Sequence, residues 1–459
     1  MKTESVWEKY TDKQLKEVDK LSASYRKFLD LGKTERECVS EIVNRVEEEG
    51  YVELAKVIKA GRKLKPGDKV YAVNMEKSVV MFQIGKAPIE EGMNILGAHI
   101  DSPRLDVKQN PLYEDGDFAY LDTHYYGGIK KYQWVAIPLA LHGVIIKKDG
   151  TTVIVNIGED EDDPVFFVSD LLIHLAQEQM EKKANKVIEG EALDIIVGNK
   201  PLKGEEKDKF TAGVLKILKE QYDVEEKDFI SAELEIVPAG KAREAGFDRS
   251  MVLAYGQDDR VCSFSSLEAM LAVKNPARTS CCLLVDKEEI GSVGATGMQS
   301  KFFENSFAEV LNCMDKFNEL TLRRALANSR MLSSDVSSAF DPTYASSFDK
   351  KNVAYLGHGM VFNKFTGSRG KSGSNDANAE YLAFIRKIMD DAEVSFQTAE
   401  LGKVDLGGGG TIAYILSLYG MDVIDCGVAV LNMHAPFEAT SKADLYEAKR
   451  GYTAFLKAE

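Results

Sequence analysis

Short apolar runs that each stop on a polar loop constrain this chain more than any other feature. Asn94–Ala98, Val252–Tyr255, Ser280–Val285 and Val428–Leu431 are too short for buried helices and carry Val, Leu or Ile. They read as strands. After about residue 248, Val252–Tyr255 leads into a helix from Val261, and Ser280–Val285 leads into a Gly-rich loop. This alternation predicts an α/β fold with a doubly wound, mixed sheet.

Elsewhere the texture differs. Leu15, Val18, Leu21 and Phe28 share one helix face that Gly32 ends, and Thr34-x-x-Glu37 can cap a second helix. Val70–Val73 and Ser78–Phe82 read as a hairpin, and Ser441-x-x-Asp444 starts a closing helix. From about residue 104 come Tyr125-Tyr-Gly-Gly128, strands at Leu139–Ile146 and Thr152–Ile157, and an acidic run before a helix from about Ser169. A charged amphipathic helix carrying Phe210, Val214, Leu215 and Leu218 precedes the strand Ala232–Val237. With no repeat and no long linker, residues 1–103 and 248–459 are expected to form one discontinuous domain, with 104–247 as a β-rich insertion.

Composition fits a folded chain. Of 459 residues, 44% are hydrophobic and 29% charged, which supplies a large core and excludes disordered or collagen-like structure. No apolar run approaches the ~20 residues of a membrane span. Met1–Tyr10 mixes both charges without an apolar stretch, unlike a signal peptide, so a cytoplasmic protein is expected. The formal net charge of −15 disfavours nucleic acid or an anionic membrane as a partner. The six cysteines form no CxxC pair and read as reduced core thiols.

Ligating chemistry gathers at strand ends. His99-Ile-Asp101-Ser-Pro103 follows Ala98, Asp258-Asp259 follows Gly256, and Glu288-Glu289 follows Val285. Asp335 lies in Ser333-Ser-Asp-Val336, and His434 comes three residues after Leu431. Open α/β sheets bind ligands at the carboxyl ends of their strands. Singly, each of these fits a satisfied structural histidine or a solvated acidic loop. Together, two imidazoles and several carboxylates suit two divalent ions, one carboxylate bridging and each ion taking a carboxylate and an imidazole of its own. One member of the Glu pair can ligate while the other serves as general base toward a metal-bound water. Asp101 can fix the tautomer of His99. Which ligand serves which ion stays open. Zinc is expected, with cobalt or manganese as alternatives for mixed N/O donors.

Other motifs carry less. Gly291–Gly297 lacks the Lys-Ser/Thr ending of a P-loop. Gly407-Gly-Gly-Gly410 can let backbone approach a substrate, which makes Gly409 and Gly410 candidate substrate-binding residues. Nearby Lys364, Arg369, Lys371 and Lys403 fit either an acidic side chain or a solvated surface. His174, in Leu171-Leu-Ile-His-Leu175, reads by default as a structural histidine on an apolar helix.

In order and separation, His99-Ile-Asp-Ser-Pro103, Gln257-Asp-Asp259, Asp286-Lys-Glu-Glu-Ile-Gly-Ser292, Ser334-Asp335 and Asn432-Met-His-Ala435 resemble the M18 metalloaminopeptidases, over essentially the whole chain. The resemblance implies that Asp258 bridges two metal ions, that His99 and Asp335 complete one site and that Glu289 and His434 complete the other. It further implies Glu288 as general base and Asp101 as the partner of His99. It implies that the insertion makes dimer contacts within a dodecamer, that His174 reaches a neighbouring subunit's active site, and that the Gly407–Gly410 stretch lies beside the substrate pocket. Gln257-Asp-Asp259 stands where many relatives have Leu-Asp-Asn, and His124-Tyr-Tyr-Gly-Gly128 where they have Thr-Tyr-Gly-Gly. The first change spares the bridging position, and the second touches the insertion.

The expected protein is a dinuclear metal aminopeptidase that acts on peptides with a free N-terminus, using metal-bound hydroxide as nucleophile and Glu288 to carry the proton. Its rivals are a two-metal deacylase or carboxypeptidase-like amidohydrolase, and a catalytically degenerate scaffold. A scaffold has no physical need for the full ligand set together with Glu288.

Overall fold

The apolar strands at both ends of the chain assemble into one nine-stranded mixed sheet. Its spatial order is Val52–Glu53, Lys69–Asn74, Ser78–Gln83, Thr279–Val285, Met93–His99, Arg330–Ser334, Asp422–Gly427, Met360–Asn363 and Phe396–Thr398. The four strands from Thr279–Val285 to Asp422–Gly427 run parallel, with Val285 opposite His99 and Ser334 opposite Cys426. Every residue of Met93–His99 and Thr279–Val285 is buried, which is why neither shows the polar/apolar alternation of a half-exposed strand. Alternate side chains serve opposite faces. Leu96 and Ala98 join a cluster with Phe28, Phe264 and Tyr452, while Met93 and Ile95 join one with Phe307 and Leu326. Burying a Leu, Ile, Phe or Met side chain among these contributes about 1.5–3 kcal/mol.

This computed structural model describes residues 4–459, so residues 1–3 of the N-terminal stretch discussed above lie outside the described residues. The chain divides into two units, one of residues 1–101, 242–433 and 438–459, the other of 102–241 with 434–437. In the first unit, Thr34 and Glu37 form a capping box on the helix Glu35–Glu48. Leu15 departs from its expected face and is exposed, whereas Val18, Leu21 and Phe28 are buried. A five-stranded sheet adds Arg243–Ala245, Met251–Ala254, Glu438–Ser441, Ala429–Leu431 and Ser337–Ser338. Because Arg243–Ala245 pairs with Met251–Ala254, residues 242–247 belong to this unit and not to the insertion.

The second unit is a six-stranded antiparallel sheet of Thr152–Ile157, Leu139–Ile146, Ala232–Pro238, Arg104–Asp115, Phe118–Tyr126 and Ile195–Gly198, with the helix Lys209–Tyr222. The helix expected from Ser169 does not form. In its place are a 3-10 turn at Ile173–Leu175 and a single helical turn at Gln177–Met180, neither with a buried residue. A helix gains most of its stability by packing an apolar face, and here Leu171, Leu172, Ile173 and Leu175 are all exposed, with only Ala176 buried. All six cysteines are free and buried. Among the described residues, no helix is long and apolar enough to cross a membrane.

Candidate metal centre

Three parallel strands end side by side and deliver His99, the turn Asp286–Glu289 and Asp335 to one edge of the sheet. Asp258 and Asp259 come from the start of the helix Gln257–Ala272. Gly256, at φ 70°, turns the chain there, and both aspartates depart from helical dihedrals. The peptide between them is cis. This entry is tied down locally: Asp258 N–H donates to Glu438 Oε2 at 3.0 Å, and Ser263 Oγ donates to the His99 carbonyl at 2.7 Å. Gln257 Nε2 donates to the Val252 carbonyl at 3.0 Å, and its Oε1 accepts from Tyr25 at 3.2 Å.

The His99 ring lies between two sets of oxygens. Its Nδ1 lies 3.0 Å from the Asp101 carbonyl and 3.2 Å from Asp101 Oδ1. With Nδ1 donating there, Nε2 faces Asp258 Oδ1 at 3.3 Å, Asp335 Oδ1 at 3.8 Å and Glu288 Oε2 at 3.9 Å. The Asp101 carboxylate does a second job, accepting the backbone N–H groups of Glu288 and Glu289 at 3.1 Å each. One buried carboxylate thus orients both the imidazole and the Glu pair.

Ligand atoms converge in three overlapping groups, His99–Asp258–Glu289, His99–Glu288–Asp335 and Asp258–Asp259–Asp335, within each of which they lie no more than 4.8 Å apart. Burial pushes Glu288 up to about 8; the His99 charge opposes this, and Asp335, Asp101 and Asp258 add to it. Burial, followed by Asp335, raises Asp259 well above the usual carboxylate range. Burial alone would lower His99, yet its hydrogen bonds to Asp101, Asp258 and Asp335 hold it well above its ordinary value. Desolvated carboxylates crowded around one imidazole call for added positive charge. Hard oxygens with an imidazole nitrogen match zinc and similar divalent ions, so the residues fit a divalent metal.

The remaining candidates lie outside these groups. His434 belongs with residues 102–241, and its Nδ1 sits 2.8 Å from the Gly128 carbonyl, an arrangement that leaves Nε2 as the nitrogen with a lone pair. His174 lies in the turn Ile173–Leu175. A Cβ at Gly407 would fall 1.8 Å from the Leu401 carbonyl oxygen, whereas Gly409 and Gly410 have no atom within 4 Å of that position. Close backbone packing therefore requires glycine at 407 and leaves room beside 409 and 410. Two features escaped sequence reasoning. Glu438 as the acceptor for Asp258 had no signal beyond an acidic residue in a short strand. The bonds from Asp101 to the Glu288 and Glu289 amides join positions that no local pattern connects.

The aminopeptidase I zinc metalloprotease (M18) family matches residues 28–456. A probable M18 family aminopeptidase 1 from Clostridium acetobutylicum is 64% identical over 453 residues, covering 98% of this chain and 97% of its own length. The crystal structure of an M18-family aminopeptidase from Thermotoga maritima matches with a TM-score of 0.95 at 43% identity, covering 100% of this chain and 99% of that one. The crystal structure of aminopeptidase I from Clostridium acetobutylicum matches with a TM-score of 0.92 at 62% identity over 100% of both chains. Sequence, fold and a strand-end cluster of metal-ligand type agree, and the chain belongs to the M18 family of zinc metalloprotease aminopeptidases.

Proposed function

We propose that this aminopeptidase works with two zinc ions bridged by Asp258, with His99 and Asp335 holding one and Glu289 and His434 the other. The observation that carries the reading is the convergence of His99, Asp258, Glu288, Glu289 and Asp335 in groups of ligand atoms within 4.8 Å. When bound, zinc supplies Lewis acidity toward the scissile carbonyl and activates water. Glu288, whose burial favours holding a proton, takes one from the attacking water and returns it to the leaving amine. Asp101 keeps the Nδ1–H of His99 engaged, so that Nε2 is the ligating nitrogen, and the Gly128 carbonyl does the same for His434. Gly409 and Gly410 leave room for the peptide backbone. The substrate is a peptide with a free N-terminus. A panel of aminoacyl and N-acetylated substrates, assayed on stripped protein with each metal added back, tests this. Cleavage of free-amine substrates alone, restored by zinc, is expected; cleavage of the acetylated set favours the deacylase reading.

Residues 102–241 serve, in this reading, as the dimerisation domain of a homo-oligomer that builds up to a dodecamer. Leu172, Ile173 and Leu175 are 53%, 69% and 68% exposed, and a clustered apolar surface of this kind marks an interaction site. A yeast aminopeptidase 1 of the same fold, 20% identical with a TM-score of 0.78, has been solved as a dodecamer. His174 would then reach a neighbour's substrate pocket. The net charge of −15 disfavours nucleic acid or an anionic membrane as a partner.

A further inference from the structure

Two loops of the first unit are held together and to a single buried carboxylate. The loop 364–376 follows the strand Met360–Asn363, and the Gly-rich segment 403–412 precedes the helix Ala413–Ser417. Gly367 N–H donates to the Gly409 carbonyl at 2.9 Å, and a Cβ at Gly408 would fall 2.2 Å from the Gly367 carbonyl oxygen. Beneath both lies Asp425, 1% exposed, on the strand Asp422–Gly427. One of its oxygens accepts from Thr411 Oγ1, at the end of the Gly-rich segment, and the other accepts from Asn375 Nδ2 at 3.1 Å, at the end of the first loop.

The Gly-rich segment also approaches the strand that carries His99. Ile412 Cδ1 would lie 3.6 Å from a Cβ at Gly97, two residues before His99. Gln299 Nε2 donates both to Tyr414 Oη and to the Gly291 carbonyl, each at 3.2 Å, which links the helix after the Gly-rich segment to the end of the turn carrying Glu288 and Glu289. The residue after Asp425, Cys426, accepts the Asp335 N–H at 2.8 Å. A buried carboxylate is costly unless it is hydrogen-bonded, and an apolar side chain would fill this strand position at less cost. What Asp425 adds is a common acceptor for one side chain from each loop.

We propose that Asp425 is a positioning residue for peptide binding: by clamping Thr411 and Asn375 it holds loops 364–376 and 403–412 in one arrangement beside the metal centre and so shapes the pocket for the substrate's N-terminal residue. This rests on the reading that the Gly409–Gly410 segment borders the bound peptide. Thr411→Val removes the hydroxyl at nearly constant shape, Thr411→Ser restores it, and Asn375→Ala breaks the other arm. The zinc-loaded variants are compared with the parent by steady-state kinetics on one aminoacyl substrate, by zinc content, and by hydrogen exchange without substrate.

Thr411→Val and Asn375→Ala are expected to speed exchange in both loops and raise KM about tenfold. Zinc content and kcat should stay near the parent's, and Thr411→Ser should match the parent throughout. Unchanged exchange in either loop overturns the clamp. Faster exchange with KM unmoved overturns its role in peptide binding, and loss of zinc together with kcat shows that Asp425 instead supports the metal site. Exchange is read without substrate, so a parent enzyme that fails to cleave free-amine peptides defeats the functional reading while the clamp is still judged.

Discussion

Glu288 and Glu289 are neighbours in sequence with different surroundings. Glu289 shares a group of ligand atoms with His99 and Asp258, Glu288 shares one with His99 and Asp335, and Glu288 is raised to about 8, chiefly by burial, as suits the proposed general base. Glu288→Ala should therefore keep its zinc while kcat falls about 100- to 10,000-fold. Glu289→Ala should lose zinc. Elemental analysis beside kinetics checks both, and zinc lost from Glu288→Ala would mean that the two roles are exchanged. Asp258 makes a different demand if it is the proposed bridge, since a bridge would touch both ions. Asp258→Ala should lower the occupancy of both sites and His99→Ala mainly of one, as read by anomalous scattering. Loss of a single ion from Asp258→Ala would sink the bridge.

Elements meet at the site through close strand packing. A Cβ at Gly427 would fall 1.8 Å from the Asp335 carbonyl oxygen, a backbone atom that cannot rotate away. Gly427→Ala must therefore push the strand Asp422–Gly427 away from Asp335. Overpacking of this kind costs roughly 1–3 kcal/mol. The melting temperature should fall and zinc content should fall with it. A lower melting temperature with full zinc content would argue that Asp335 is no ligand. Local capping is easier to read: Thr34 with Glu37, and Ser441 accepting from Ala443 N–H, sit where the sequence marks helix starts.

Across the whole molecule, the candidate ligands come from segments as far apart as His99 and Asp335, so bound zinc would tie distant parts of the chain together. Chelation should lower the melting temperature, and zinc at 100-fold above its dissociation constant corresponds to about 2.7 kcal/mol of stabilisation. Calorimetry with and without chelator measures this; an unchanged transition would show that the cluster holds no metal. The shared-site reading of His174 predicts complementation. Inactive Glu288→Ala chains mixed with inactive His174→Ala chains after mild dissociation should recover activity, because mixed dimers contain one complete site. If His174→Ala alone keeps full activity, or no mixture recovers any, His174 is structural.

Periodicity and turn chemistry are local, and what they control was legible: the parallel strands, their buried faces, the capped helices, and the order in which His99, Asp258, Glu288, Glu289 and Asp335 arrive at strand and helix ends. Distances were not legible, because they follow from register between remote strands. Val285 opposite His99 brings the Glu pair to the imidazole, and the fold alone lets Asp101 accept two amides of that pair. Glu438 reaches Asp258 through the pairing of Glu438–Ser441 with Met251–Ala254, which no pattern within either strand announces. The segment around His174 shows the opposite case: its apolar spacing suggested a helix, but a long helix there needs a surface to bury its apolar face against, and the segment forms only the 3-10 turn Ile173–Leu175 and the single helical turn Gln177–Met180.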